Sequence, residues 1–154
     1  MRRIALMLAC SLATLTAAPP ARAQAGDAPL PEVRLTESEI AAMGQTAAGP
    51  GPSAVLVGDP TKPGPYAMQV RIAPNQALPP HTHRDNRVTR VLSGTYFYGY
   101  GATADEAKAK KLTAGSFYTE PAGQAHFAHA GPEGAVLYVV GTGPSDTKTV
   151  TPQR

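Results

Sequence analysis

Three of the four histidines in this 154-residue chain fall in a pattern suited to transition-metal chemistry. His81 and His83 stand two apart in Pro79-Pro80-His81-Thr82-His83, and His126 follows 43 positions after His83. Side chains two apart on an extended strand share a face, so both imidazoles of the pair can aim into one cavity. A neutral imidazole is the commonest protein ligand for a transition metal. Three of them leave a divalent ion its full charge and up to about three open positions for water, oxygen or an anionic substrate. The chemistry to expect is metal binding inside a barrel.

The segments that must position these rings read as short strands broken by turns. Residues 53–57 are apolar and end at Gly58-Asp59-Pro60, and Tyr66, Met68, Val70 and Ile72 alternate with Ala67, Gln69 and Arg71. That period of two marks a strand with one buried face. Residues 87–92 and 95–100 flank Ser93-Gly94 and predict a hairpin. Residues 105–111 are polar and charged, either a helical turn or an exposed edge. Residues 117–120, 125–130, 135–140 and 148–150 complete the series. Strands at this spacing, with Gly and Pro turns and almost no helix, indicate an antiparallel sandwich or barrel over residues 53–154.

Residues 1–23 read as a signal peptide: Met1-Arg2-Arg3 is basic, an apolar run follows, and Ala21-Arg22-Ala23 is an A-x-A cleavage site. The run is too short to span a bilayer, which needs about 20 residues. Export to a periplasmic or extracellular space is therefore expected, with no membrane attachment after cleavage. Loss of Arg2, Arg3 and Arg22 takes the 14 basic residues to 11, equal to the 11 acidic ones. A formally neutral mature chain gives no charge argument for nucleic acid. The single cysteine, Cys10, leaves with the leader, so neither a disulfide nor a thiolate ligand is available. Residues 24–52 form an N-terminal arm, with a short helix opened by the capping-box pair Thr36 and Glu39 and stopped at Gly44.

The histidine pattern resembles that of the cupins, small double-stranded β-helix (jelly-roll) barrels. The first cupin motif, H-x-H, three or four residues, Glu, six residues, Gly, is matched by His81, His83 and Gly94, with Arg87 where the family has Glu. The second, G, five residues, P-x-G, two residues, H, three residues, N, is matched by Gly115, Pro121, Gly123 and His126, with Ala130 at the Asn position. The resemblance covers residues from about 53 to 142. It implies an all-β barrel enclosing one divalent metal (Fe, Mn, Zn, Ni or Cu), and it makes a homodimer a reasonable expectation.

Arg87 alters the expected ligand set. A guanidinium stays protonated and has no lone pair to coordinate. About 6 Å from a divalent ion it would be repelled by roughly 5–6 kcal/mol at an effective dielectric of about 20. Either Arg87 turns away, or the metal is absent, or an anion offsets the charge. Glu120, directly before the Pro121 turn, is the candidate anion, and strand alternation puts it on the same face as Tyr118. Glu120 would either replace the missing carboxylate on the metal or pair with Arg87 across the cavity wall. Tyr118 is a candidate for an acid–base or supporting role beside it.

His129, three beyond His126, should face outward. Tyr96, Tyr98 and Tyr100 alternate along one strand as packing residues, with one phenol able to reach the cavity. Lys108, Lys110 and Lys111 read as a solvated edge. The histidines could also be core residues of a cupin without a metal. Two classes of function remain open. One is a mononuclear metal enzyme, dioxygenase-like or a lyase/isomerase, acting on a small molecule whose carboxylate Arg87 could hold. The other is a non-catalytic protein that binds metal or a small ligand, its cavity filled by Met68, Phe97 and Tyr118. Cavity size discriminates between them.

Overall fold

The computed structural model describes residues 30–43 and 53–151. The expected leader and the expected helix stop at Gly44 lie outside the described residues. Helix α1 (Glu37–Ala42) opens on its capping box: Glu39 N donates to Thr36 Oγ1 at 3.3 Å and Thr36 N donates to Glu39 Oε2 at 2.6 Å. Two of the amides that a helix start leaves without partners are thereby satisfied.

Among the described residues everything else regular is β: β1 (Ser53–Val57), β2 (Gly64–Ile72), β3 (Ala77–Thr82), β4 (Arg87–Tyr100), β5 (Lys110–Thr113), β6 (Phe117–Glu120), β7 (His126–Gly143) and β8 (Lys148–Thr149), with a 3-10 turn at Glu106–Lys108. All the pairings are antiparallel. Two long strands organise the molecule, β4 with 14 residues and β7 with 18, paired along their lengths. Residues 87–94 of β4 and 135–143 of β7 lie in one sheet, ordered β1, β2, β7, β4, β6. Residues 96–100 and 126–130 of the same two strands lie in the other, ordered β8, β3, β7, β4, β5. This is a double-stranded β-helix, as expected.

The hairpin expected at Ser93-Gly94 does not form, and the strands expected over 125–130 and 135–140 are one strand. Gly94 and Gly134 bend the chain from sheet to sheet without reversing it. Both have positive φ, +77° and +76°, and the pairing register shifts between Gly94 and Tyr96. A Cβ on Gly94 would collide with the Gly134 carbonyl oxygen, and one on Gly134 would sit 2.7 Å from the Ile72 oxygen. The two corners therefore nest, and both need the missing side chain.

The inner faces meet as the alternation predicts. Met68 opposes Val139, Val70 opposes Leu137 and Ile72 opposes Ala135, all buried. Each large apolar side chain fully buried there is worth about 1.5–3 kcal/mol of transfer free energy. Sheet edges are blunted by charge, since Lys110 and Lys111 on β5 and Lys148 on β8 are exposed.

Candidate metal centre

His81 and His126 occupy opposite positions on the paired strands β3 and β7, and their ring centroids are 4.3 Å apart. β3 ends at Thr82, so His83 sits one residue past the strand, yet its ring lies 4.9 Å from that of His81 and 5.1 Å from that of His126. Pro79 and Pro80, which cannot donate to a ladder, fall where the register between β3 and β7 shifts.

Each Nδ1 faces a backbone carbonyl: His81 to Pro79 at 2.8 Å, His83 to Asp146 at 2.6 Å and His126 to Gln124 at 3.0 Å. A carbonyl can only accept, so Nδ1 carries the proton and Nε2 keeps its lone pair in the neutral ring. One ligand atom from each histidine lies within 4.8 Å of the others. Burial lowers the pKa of all three rings, and for His83 burial followed by the Arg87 charge brings it to about 3. Three neutral rings with their Nε2 lone pairs turned to one point are suited to hold a metal ion, although that of His83 also faces Arg87 Nη1 at 3.1 Å.

Glu120 and Tyr118 both turn inward from β6. Glu120 Oε2 lies 3.3 Å from His83 Nε2, 4.0 Å from His126 Nε2 and 3.5 Å from Arg87 Nη1. Its other oxygen accepts from Thr89 Oγ1 at 3.3 Å, but Oε2 is buried and makes no hydrogen bond. Burial raises the Glu120 pKa, with Arg87 and His81 opposing it.

Arg87 does not turn away. It opens β4 opposite Glu120, and Nη1 lies 3.1 Å from His83 Nε2. Nε lies 3.4 Å from Asp85 Oδ2, while Nη2 donates to Ser145 Oγ and to the Asp146 carbonyl at 3.4 Å. Asp85 is buried and fully engaged: Ser145 Oγ donates to Oδ1 at 2.7 Å and Tyr66 Oη to Oδ2 at 2.6 Å. That hydrogen bond and burial push the Tyr66 phenol up to about 12, burial being the larger cause.

Asp85, Tyr66, Ser145 and Asp146 were missed by the sequence reading. Asp85 lies in the bend between β3 and β4, where strand alternation does not apply, so its spacing from His83 and Arg87 did not mark it. Ser145 and Asp146 arrive from the β7–β8 loop, about 60 residues away, and no local pattern marks them.

The remaining residues sort plainly. Tyr118 packs with Tyr98 at 4.2 Å and Tyr96 at 5.9 Å, its buried hydroxyl makes no hydrogen bond, and burial holds its pKa well above the usual phenol range. Tyr96 and Tyr98 are buried and Tyr100 is exposed. His129 faces out, half-buried, stacked on Phe97 at 4.4 Å and 9°. Phe97 therefore does not fill the cavity, because it shares the outward face with His129, its register partner. The space among Val70, Leu78, Tyr96, Tyr118, Leu137, Val139 and the charged and histidine side chains is only about 30 Å³. That is room for two or three waters, at about 10–15 Å³ each.

The family model of the ChrR cupin-like domain matches residues 40–146. The chain is a member of the ChrR cupin-like family. Its fold is shared with an RmlC-like cupin from Shewanella frigidimarina (19% identity, TM-score 0.55, covering 73% of this chain and 92% of that one). It is shared also with an uncharacterised double-stranded β-helix protein from Klebsiella pneumoniae (20%, 0.56, 76% and 98%). A third neighbour is the polyketide cyclase RemF from Streptomyces resistomycificus (18%, 0.58, 79% and 87%). No curated protein sequence matches the chain. At such identities the neighbours speak to architecture, and this cupin's chemistry must be argued from its own site.

Proposed function

We propose that this cupin is an exported metal-holding protein that binds one divalent transition metal through Nε2 of His81, His83 and His126, with Glu120 as the fourth ligand. The observation that carries the reading is the Glu120 carboxylate. Its buried Oε2 makes no hydrogen bond, only the 3.5 Å ion pair with Arg87 Nη1, and it stands beside two of the imidazole nitrogens. An ion would satisfy that oxygen and supply Lewis acidity at the same point. The carboxylate that Arg87 displaces from the first motif is then recovered from the second.

The small cavity favours holding the ion over transforming a substrate. Burial also makes Tyr118 a poor proton donor near neutral pH. One observation favours the enzyme reading: Tyr118 lines both the 30 Å³ space and a groove of about 440 Å³ bordered by Tyr100, Lys108, Lys110 and Phe117. A shift of the Tyr98–Tyr118 pair would join the two and admit a small anionic molecule.

Titration of the protein with Co²⁺, followed by visible absorption, tests the primary reading. One equivalent of Co²⁺ bound with strong low-coordinate bands supports it. A spectrum unchanged from the aqueous ion refutes it. Oxygen uptake or turnover of small chelating carboxylates by the metal-loaded protein would move the assignment to the enzyme class.

A further inference from the structure

Arg87 and a metal ion both need the same lone pair. A guanidinium has only donors, so the 3.1 Å contact must be Arg87 Nη1–H donating to His83 Nε2. His83 can accept there because its Nδ1 proton is already committed to the Asp146 carbonyl. A nitrogen lone pair serves one partner at a time. We propose that Arg87 is a built-in competitor for the metal, so that ion capture at this site is an exchange in which His83 gives up Arg87 before it can ligate.

The surroundings of Arg87 fit that role. Nε faces Asp85, and Nη2 is anchored on Ser145 and Asp146, so the group is held from behind with only Nη1 reaching forward. Nη1 touches both the His83 nitrogen and Glu120, two of the atoms a metal would use. Tyr66 and Ser145 fix the Asp85 carboxylate, which keeps the guanidinium in place whether or not Nη1 holds His83. The arrangement weakens the site toward divalent ions and makes it release them readily. Because Asp146 accepts from both His83 and Arg87, the exchange would also be felt in the β7–β8 loop.

The proposal rests on the metal-binding reading, and the test separates the two. Zn²⁺ affinity is measured by competition with a chromophoric chelator for the parent, Arg87→Met and the double variant Asp85→Asn/Arg87→Met. The double variant removes a cation and an anion together, keeping local charge constant and leaving no orphaned buried carboxylate at Asp85. Both variants should bind Zn²⁺ at least about ten-fold tighter than the parent. The ¹⁵N resonance of His83 Nε2 in the metal-free parent should move toward the value of a free imidazole lone pair in each variant. Equal or weaker Zn²⁺ binding in the double variant, or an unmoved His83 resonance, overturns the competitor role while leaving the metal site standing. Absence of Zn²⁺ binding in all three proteins overturns the metal reading itself.

Discussion

Glu120 Oε2 lies 3.3 Å from His83 Nε2, buried, and without a hydrogen bond. Two elements far apart in the chain, the end of β6 and the residue after β3, thus place a carboxylate and an imidazole at ligand spacing. Glu120→Gln keeps the shape and removes the charge. Metal affinity should fall at least about ten-fold, the loss expected when an anionic ligand becomes neutral. In the metal-free variant the lost 3.5 Å ion pair with Arg87 is offset by relief of a desolvated carboxylate, so its unfolding temperature should stay close to the parent's. Chelator competition and thermal unfolding read the two effects.

The three rings set a pH dependence of stability. Their folded pKa values lie below the unfolded value of about 6.5, with His83 at about 3. Between those limits the unfolded chain binds more protons than the folded one, so stability rises with pH across that window. Metal-free protein should therefore unfold at progressively lower temperature as pH drops from about 6.5 toward 3. Replacing His83 with Gln should flatten the slope. Carboxylates with lowered pKa add to it in the same direction, so the variant comparison, rather than the raw curve, isolates the ring.

Asp85 and Glu120 are both counter-charges of Arg87, at 3.4 and 3.5 Å, and removing the first leaves a guanidinium whose side chain is only 13% exposed with one carboxylate in place of two. Asp85→Asn should cost about 3–5 kcal/mol of stability, as for other broken buried pairs. Adding Arg87→Met to it should restore part of the loss, which denaturant unfolding of the single and double variants would show.

At the sheet-to-sheet corner, Gly94→Ala meets both a positive φ and the Gly134 carbonyl oxygen. A loss well above the roughly 1 kcal/mol that a positive φ alone costs is expected in denaturant unfolding, against a loss near that value for Gly115→Ala. No atom lies within 4 Å of a Cβ at Gly115, so that variant bears only the cost of its own φ of +89°.

Much of the site was legible because its parts obey short-range rules. Spacing of two carried His81 and His83 to one side, alternation on β6 turned Tyr118 and Glu120 inward together, and the capping box opened α1. The corners were not legible in that way. Ser93-Gly94 offers the same glycine signal whether the chain reverses or bends, and only the long partner β7 decides which. Phe97 was misplaced for a related reason: its face depends on the register that continues through the corner. Asp146 and Ser145 act through a loop distant in sequence, where the contacts are tertiary and leave no local pattern.

If His81, His83 and His126 share one ion, the metal must leave when either side of the site is removed. Elemental analysis of the purified protein, set against His81→Ala/His83→Ala and His126→Ala, tests it most directly. Close to one equivalent of a transition metal is expected in the parent and almost none in either variant. Equal metal content in all three, or none in the parent even after loading, would contradict it.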